Sequence, residues 1–323
     1  MGRRKKESKL LSSVECDNIT ITDPTEIACA FNNYFSNIGS NVSANIEDNI
    51  DNITYQSYLQ NRSQLNCTFT TVTEPEVLCI INKMDNKSSS GYDAISNKIL
   101  KYLKNELCNG ITLIVNQMLE TGIFPSGLKL SKIIPLYKKG DKNLLSNYRP
   151  ISLLPTMSKI FERVIYNQLY SYFTSNNLLS EQQYGFRAKH STELAAIKLV
   201  DYIKTEIDNK YTPVNIYIDL SKAFDTINYD ILLYKLDYYG VGGIPLQLIQ
   251  NYLTNRKQYV KYNTHKSTLK MIDTGVPQGS ILGPLLFSIY INDLVNVSNT
   301  FKYVMYADDT TIYFNLEEFS INN

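Results

Sequence analysis

Three aspartates, Asp219, Asp308 and Asp309, have the residue type and the setting that metal-assisted chemistry requires. Asp219 ends a run, residues 214–218, in which apolar and polar residues alternate as in a β-strand with one apolar and one polar face. Asp308 and Asp309 separate two β-rich runs, which predicts a hairpin with both carboxylates at its bend. Taken alone, the hairpin pair is better explained as an acidic β-turn.

The two acidic segments indicate more when they are considered together. Carboxylate oxygens on neighbouring strands are the hard ligands that Mg²⁺ prefers in proteins. Two Mg²⁺ ions at such a site promote nucleotidyl transfer, because one lowers the pKa of an attacking 3′-hydroxyl and the other holds the triphosphate and the leaving pyrophosphate. The three carboxylates together therefore predict a magnesium-dependent nucleotidyltransferase site.

The elements that position these carboxylates are predicted from periodicity and from capping residues. Asp23 followed by Pro24 is typical of a helix start, whereas residues 39–70 lack sustained periodicity and are interpreted as a linker with at most short helices. Further helices are predicted at residues 74–84, 97–107, 111–121, 157–175, 191–208, 228–239 and 281–294, and further strands at residues 132–137 and within 256–270.

Composition gives little information about partners. The formal net charge of +1 over 323 residues lacks the overall basic signature that phosphate binding usually leaves. Basic residues gather at residues 3–6, 138–149 and 256–270, and for each run taken singly a solvated face is the more common explanation. Five scattered cysteines indicate neither zinc nor a disulfide framework and favour a reducing compartment, and no apolar run reaches membrane-spanning length.

Six motifs follow one another between residues 134 and 309. In chain order they are IPLYKKGD (134–141), NYRPISLL (147–154), QYGFR (183–187), DLSKAFD (219–225), TGVPQGSILGP (274–284) and YADD (306–309). From about residue 74 onward the chain resembles the reverse transcriptases of non-LTR retrotransposons, the LINE-type elements of the jockey kind. Several long motifs in a single order are highly specific.

The resemblance implies a role for each carboxylate and a set of substrates. Asp219 and Asp308 would be metal ligands for two Mg²⁺ ions, with Mn²⁺ as the alternative ion, and Asp309 would be a supporting carboxylate. The implied partners are an RNA template, a DNA primer and dNTPs. Phe224 would lie under the sugar, where a 2′-hydroxyl would clash, although an aromatic side chain that covers the core explains this residue equally well without the family.

Further residues are implied to bind nucleotide and nucleic acid. Arg149, together with Lys138 and Lys139, would hold phosphates, since a planar guanidinium matches phosphate geometry; for the two lysines a solvated fingertip is an even alternative. Gln278 and Gly279 lie in a Gly/Pro-rich turn that would approach the nucleotide, or that only begins a core helix. The implied nucleic-acid contacts are Arg187, Arg256, Lys257 and Lys261.

The implied fold is α+β, a right-hand polymerase with fingers and palm, in which an antiparallel palm sheet packs on helices. We expect a partly helical N-terminal extension or linker over residues 1–70, fingers with the start of the palm over 71–210, and palm over 211–323. The chain stops soon after Asp309, which predicts an absent thumb and partly exposed apolar residues in the hairpin.

Two other functions are consistent with the same residues. An RNA-dependent RNA polymerase also has an aspartate strand and an acidic hairpin, and often a second aspartate where Asp225 stands, although that residue also suits a helix cap. Phe224 and the YADD motif argue against this function. A catalytically inactive remnant that binds RNA or a protein partner is the other alternative, since the reading frame looks cut at both ends and feeble or absent activity is expected from this chain alone.

Overall fold

A computed structural model describes residues 13–16, 19–43, 54–60 and 62–317. The helices of this part are α1 (Pro24–Ser36), α2 (Ile38–Ser43), α3 (Glu74–Lys83), α4 (Asn97–Tyr102), α5 (Lys104–Thr121), α6 (Thr156–Ser175), α7 (Thr192–Asp208), α8 (Tyr229–Tyr238), α9 (Gly243–Leu253) and α10 (Gly283–Tyr290). The strands are β1 (Val14–Cys16), β2 (Ile19–Ile21), β3 (Leu130–Tyr137), β4 (Tyr148–Leu153), β5 (Pro213–Asp219), β6 (Arg256–Tyr262), β7 (His265–Lys266), β8 (Lys270–Ile272), β9 (Lys302–Tyr306) and β10 (Asp309–Asn315). The predicted α+β class is confirmed.

Strands β5, β10 and β9 form an antiparallel sheet in that order. The central strand β10 pairs with β5 along its whole length and with β9 through a tight hairpin, so the predicted strand and hairpin are both present. Strand β5 lies at the sheet edge, and its apolar side chains Ile216 and Ile218 are 45% and 37% exposed. The alternation before Asp219 therefore marks a strand whose apolar face is only partly covered.

A second sheet has the strand order β4-β3-β6-β7, and β8 joins it by pairing with β6. Strands β3 and β4 are antiparallel, whereas β3 and β6 are parallel, with Leu130 opposite Lys257 and Ile133 opposite Val260. Parallel neighbours require a long crossover connection, and here helices α6 to α9 lie between them in the chain. The sheet thus joins two segments that are distant in sequence.

Helix α1 packs against this second sheet. It begins as predicted, because Asp23 Oδ1 accepts hydrogen bonds from two backbone N–H groups of the first turn, each at 2.9 Å. Phe31 is fully buried, and its ring centroid lies 4.9 Å from that of Tyr148 in β4. The same core includes Ile133 and Val260 of the sheet. Helix α1 is therefore an integral part of the folded structure.

A larger core lies among the helices. Along α6, buried side chains recur at every fourth position, which places them on one stripe of the helix; they are Phe161, Ile165, Leu169 and Phe173. Leu232 of α8, Leu248 of α9 and Leu286 of α10 belong to the same cluster. Helix α6 is thus the central element on which the later helices pack.

Three predicted helices have wrong boundaries. The helix predicted over residues 97–107 ends at Tyr102, and the next begins at Lys104 rather than residue 111, because Leu103 leaves helical geometry at φ −97° and ψ 14°. The apolar helix predicted over residues 281–294 is confined to Gly283–Tyr290, and its approach is held by hydrogen bonds to another helix, described below.

The hairpin is better covered than predicted. Tyr303 and Met305 are only 4% and 0% exposed. Residues 182–184 run beside β9, where Met305 N donates to Gln182 O at 2.8 Å and Tyr184 N donates to Met305 O at 2.7 Å. Helix α7 packs against the same sheet. The prediction of partly exposed apolar residues is therefore wrong for Tyr303 and Met305, which an earlier part of the chain covers, whereas Ile312 is half-buried and thus partly exposed as predicted.

No helix within the described ranges is long and apolar enough to cross a membrane. Several predictions fall on residues outside those ranges. These are the basic run at residues 3–6, part of the linker at residues 44–53 and 61, and the last six residues of the third predicted region, 318–323.

Candidate active site

Asp219 and Asp309 are direct cross-strand partners. Opposite residues of an antiparallel pair project from the same face of a sheet with their Cβ atoms roughly 5 Å apart, so these two carboxylates share one face. Asp308 lies in the two-residue turn between β9 and β10 and is half-buried. The assignment of Asp219 and Asp308 as metal ligands stays a prediction, and the register adds Asp309 as the direct neighbour of Asp219.

The turn that carries Asp308 is held in an unusual conformation. Ala307 has φ +58°, in the left-handed region that costs a residue with a side chain roughly 1 kcal/mol or more. The buried Gln183 holds Ala307 from both sides: its Oε1 accepts from Ala307 N at 3.0 Å, and its Nε2 donates to Ala307 O at 3.3 Å. A methyl group at Gly185 would lie 2.2 Å from Ala307 N, so the close approach requires glycine.

The carboxylates line a cavity of about 640 Å³. Eight of the predicted site residues line this cavity: Lys138, Arg149, Asp219, Phe224, Gln278, Gly279, Asp308 and Asp309. The three acidic residues come from the three-stranded sheet, whereas the basic residues come from the end of the five-stranded sheet. A cavity with a few convergent polar groups is the usual form of a small-molecule site.

The cationic side of the cavity is open to solvent. Arg149 lies in β4 opposite Leu136, and Lys138 follows β3, where its N–H donates to Asn147 O at 2.8 Å. Both side chains are exposed, and among the residues that the structure describes neither takes part in an ion pair. Their charges are thus available to an anion in the cavity, and their role as phosphate ligands stays a prediction.

Gln278 connects strand β4 to the segment that follows β5 at the cavity. Its carbonyl oxygen accepts from Ser152 N of β4 at 2.9 Å, and its Nε2 donates to Asp225 Oδ2 at 2.7 Å. Gly275 has φ +75°, and a methyl group there would lie 2.6 Å from Asp225 O. The Gly/Pro-rich turn is therefore fixed against the segment that follows β5, with the Gln278 side chain tied at the cavity wall.

Asp225 is a fourth carboxylate at the cavity. Burial raises the pKa of Asp225 to about 6, although the hydrogen bond from Gln278 and the charge of Lys222 act in the opposite direction. Helix α8 is capped by Asn228, whose side chain accepts from Ile231 N at 3.1 Å. The interpretation of Asp225 as a helix cap is therefore wrong, and its carboxylate holds Gln278 instead.

Phe224 is half-buried between the cavity and the helical core. Its ring centroid lies 4.8 Å from that of Phe287 in α10 and 6.0 Å from that of Phe186. The ring therefore covers the core, as the alternative without the family required, while it also lines the cavity. Its selection against a 2′-hydroxyl stays a prediction.

The prediction that Arg256 contacts nucleic acid is wrong. Its side chain is 2% exposed, its Nη1 donates to Tyr252 O at 3.0 Å, and its guanidinium lies 4.9 Å from the centre of the Tyr252 ring. Alternation along β6 turns Arg256 toward the interior and Lys257 toward solvent. A side chain enclosed in this way is closed to a phosphate backbone.

The other predicted nucleic-acid contacts differ in exposure. Lys257 is exposed, and Lys261 is half-buried opposite Lys266 of β7. Lys257 and Lys261 lie four positions apart in β6, so they project from the same face. Arg187 is half-buried, and its Nη1 donates to the backbone oxygen of Ser180. Lys257 and Lys261 stay predicted contacts, and one nitrogen of Arg187 already has a partner within the chain.

Sequence reasoning did not identify three residues that matter for the site: Gln183, Lys222 and Glu162. Glu162 of α6 is fully buried and accepts from Ser158 Oγ at 2.9 Å and from Ile281 N at 2.6 Å, which fixes the start of α10. Burial raises the pKa of Glu162. The only local signal is a charged residue beside the apolar stripe of a helix. Gln183 and Lys222 lie inside motifs, but motif membership does not reveal their contacts.

The donor set suits a hard divalent cation. Asp219, Asp308 and Asp309 supply carboxylate oxygens, and like charges directly opposite on a sheet repel unless a cation is present. In the ranges that the structure describes, no group of three or more His, Cys, Asp or Glu side chains converges closely enough to hold an ion. The residues therefore fit the ion in donor type, and their side chains must rotate toward a common point to ligate it.

The chain is similar to known proteins. The family model for reverse transcriptase (RNA-dependent DNA polymerase) matches residues 137–321. The RNA-directed DNA polymerase from mobile element jockey of Drosophila melanogaster is 32% identical over 265 residues, which cover 80% of this chain and 29% of the relative. The probable RNA-directed DNA polymerase from transposon X-element of the same organism is 32% identical over 268 residues, with the same two coverages.

A more distant relative is the retrovirus-related Pol polyprotein from type-1 retrotransposable element R2 of Popillia japonica, 25% identical over 159 residues, 49% of this chain and 22% of the relative. The chain thus spans less than a third of the length of these relatives. The family match covers more than half of the chain and contains all four cavity carboxylates. On this match the chain belongs to the reverse transcriptase family, and it is similar to enzymes of jockey-type non-LTR retrotransposons.

Proposed function

We propose that this chain carries the polymerase site of a LINE-type element and joins deoxynucleotides from dNTPs to the 3′-hydroxyl of a DNA primer on an RNA template. The observation that supports this most is the cavity of about 640 Å³ in which carboxylates of one sheet and cations of the other meet. Family membership agrees with that chemistry. The jockey and X-element relatives are named as RNA-directed DNA polymerases, which agrees with the proposal.

The proposal assigns the two sheets to the parts of a right-hand polymerase. The three-stranded sheet with Asp219 and the hairpin is the palm, within residues 211–323. The five-stranded sheet lies on the fingers side: two of its strands, β3 and β4, belong to residues 71–210, and the other three, β6 to β8, come from residues 211–323. Residues 1–70 are an N-terminal extension, whose helix α1 packs on the fingers sheet.

In the proposed mechanism the chain binds and orients the incoming nucleotide. Arg149 and Lys138 hold the phosphates, Phe224 lies beneath the sugar, and the Gln278 side chain, fixed by Asp225, contacts the sugar edge. Asp219 and Asp308, supported by Asp309, would hold two Mg²⁺ or Mn²⁺ ions, which supply activation of the 3′-hydroxyl and stabilisation of the leaving pyrophosphate.

Nucleic acid would bind along a basic face of the fingers sheet. Lys257 and Lys261 project from one face of β6, and Lys132 of β3 lies opposite Tyr259 on that face. Lys266 of β7 joins them through its pairing with Lys261. A row of lysines that alternates with an aromatic residue suits the phosphate backbone without sequence preference.

Primer extension tests the proposed function. The full chain is incubated with a DNA primer annealed to an RNA template, Mg²⁺ and dNTPs, beside Asp308→Ala and the matched control Asp201→Ala, which removes an exposed carboxylate of α7. We expect at most feeble extension by the unmodified chain and by the control, and none by Asp308→Ala.

Three outcomes would contradict the proposal. Extension that survives Asp308→Ala would show that this carboxylate is not required. A preference for rNTPs over dNTPs would indicate an RNA polymerase. Binding of the primed template without any extension would favour the inactive RNA-binding protein.

A further inference from the structure

Lys222 brings an additional positive charge to the cavity. It lies in the turn after β5 with φ +56°, a left-handed conformation that is strained for a lysine. The residue is half-buried and lines the cavity together with Lys138 and Arg149. Strain of this size persists where surrounding contacts compensate for it.

Tyr34 of helix α1 supplies such a contact. The Nζ of Lys222 lies 5.8 Å from the centre of the Tyr34 ring, within the range of a cation–π interaction. Helix α1 is firmly placed, because Gln258 Nε2 donates to Asn32 Oδ1 at 3.0 Å and Asn32 Nδ2 donates to Thr268 O at 2.8 Å. The ring thus forms a rigid wall beside the lysine.

The charges around Lys222 leave it with capacity for an anion. Asp225 attracts the ammonium group, but no ion pair joins the two among the residues that the structure describes. Burial is the main cause that lowers the pKa of Lys222, and the nearby positive charges of Lys138 and Arg149 act in the same direction. Three cations from three chain segments therefore approach one space, an arrangement that a multiply charged anion stabilises.

We propose that Lys222 is a third cation that binds the triphosphate of the incoming nucleotide, and that Tyr34 is the positioning residue that directs it, so that helix α1 is part of the nucleotide site. This inference rests on the proposed function. It extends that function by adding the N-terminal helix to nucleotide binding and by assigning a triphosphate contact to a residue of the DLSKAFD motif.

The competing explanation is that Lys222 only compensates the charge of the buried Asp225. In that case its loss would change protein stability and the affinity for every ligand of the site alike. A triphosphate contact instead makes the effect depend on the number of phosphates that the ligand carries. The two explanations therefore differ in a measurable ratio of affinities.

The test uses the full chain, a primed RNA template whose DNA primer ends in a dideoxynucleotide, and Mg²⁺. The measured quantities are the dissociation constants of dNTP and of the corresponding dNMP in the ternary complex. Charge-assisted contacts contribute about 1.5–3 kcal/mol, so we expect Lys222→Met to weaken dNTP binding about tenfold or more. The dissociation constant of dNMP should change by less than about threefold.

Matched variants separate position from charge. Lys222→Arg should recover most of the dNTP affinity, and Lys204→Met, at an exposed site of α7, should leave it unchanged. Tyr34→Phe keeps the ring and should bind dNTP normally, whereas Tyr34→Leu should weaken dNTP more than dNMP. A thermal unfolding curve for each variant confirms that the fold is kept.

The outcomes separate the two hypotheses. If the unmodified chain binds dNTP and Lys222→Met binds it equally well, or loses dNTP and dNMP affinity in parallel, the Lys222 inference is overturned and the proposed function stands. If the unmodified chain binds no dNTP on a primed template, both are overturned. An equal loss in Tyr34→Phe and Tyr34→Leu would remove the positioning role of the ring.

Discussion

Asp219 lies directly opposite Asp309 across the β5–β10 pair, with both carboxylates on one face of the sheet. Two negative charges at this separation destabilise the strand pair in the absence of a cation. The same repulsion makes the pair a strong attractor for a divalent ion. Folding stability and ion binding at this position therefore have opposite requirements.

The first prediction follows from this opposition. Asp309→Asn should increase the free energy of unfolding by about 0.2–1 kcal/mol in a chelator, because it removes a cross-strand repulsion. It should also reduce primer extension and abolish most of the stabilisation that added Mg²⁺ gives. Chemical denaturation with and without Mg²⁺ measures the first effect, and a variant that loses stability in the chelator would contradict it.

Gln183 should be required for the turn that carries Asp308. Gln183→Leu removes a buried acceptor and leaves the N–H groups of Gly185 and Ala307 without a partner, which should lower the free energy of unfolding by about 2–4 kcal/mol. The control is Gln182→Leu, an exposed neighbour that should change stability by less than about 0.5 kcal/mol. Denaturant titration of both variants measures these changes. Equal effects of the two substitutions would show that Gln183 does not hold the turn.

Phe224 should control the choice of sugar. Phe224→Ala opens space beside the nucleotide, so incorporation of rNTPs relative to dNTPs should rise by an order of magnitude or more, while dNTP incorporation falls modestly. Single-nucleotide extension with each substrate gives the ratio of kcat/KM values. Phe186→Ala, which alters a ring in contact with Phe224, is the control for lost packing and should not change the ratio to the same extent.

The pKa of Asp225 predicts a dependence of stability on pH. Since burial raises it from 3.8 to about 6, the folded chain binds a proton more tightly than the unfolded chain. The stabilising contribution of Asp225 to the free energy of unfolding is therefore fully present below about pH 4 and is lost as the pH rises through 6. Relative to the wild type, Asp225→Asn should gain about 2–3 kcal/mol between pH 4 and pH 7. The free energy of unfolding of both proteins is measured by denaturation at several pH values in this range. If Asp225→Asn shows no such gain, the pKa of Asp225 is not raised.

Arg256 and Lys257 should respond differently to neutralisation although they are adjacent. Lys257→Gln should weaken RNA binding and lower the salt dependence by about one released ion, since its side chain is exposed. Arg256→Met should destabilise the fold by about 2–3 kcal/mol and leave the salt dependence of the folded protein unchanged. RNA titrations at several salt concentrations test both, and a changed slope for Arg256→Met would restore it as a contact.

The sequence was sufficient where signals are local. Helix α1 begins after Asp23, and α3 begins with the capping box in which Thr73 N donates to Glu76 Oε2 at 2.8 Å, because the residues that form these caps are within one turn of each other. The hairpin with Asp308 and Asp309 was also predictable from two β-rich runs and a tight bend.

Contacts between distant segments could not be predicted in the same way. Arg256 is buried because it packs against α9 and because the alternation of β6 turns its side chain inward. Neither the contact with α9 nor the face of the strand can be predicted from a run of basic residues. The bond from Gln278 to Asp225 and the contact of Tyr34 with Lys222 each join separate elements. The residue types were sufficient to predict the chemistry of the cavity. The contacts that hold its side chains in place became visible only in the folded structure.

The parallel pairing of β3 with β6 also affects when the site can form. Leu130 pairs with Lys257, and Asp219 with Asp309, so both pairings close long loops whose entropy is lost before the contacts form. A ribosome adds roughly 5–20 residues per second, so α3, α5 and α6 can pack on one another while β10 is still being synthesised. The pairing of Asp219 with Asp309 cannot form before both β5 and β10 have been synthesised, whereas contacts within the earlier helical core can form sooner.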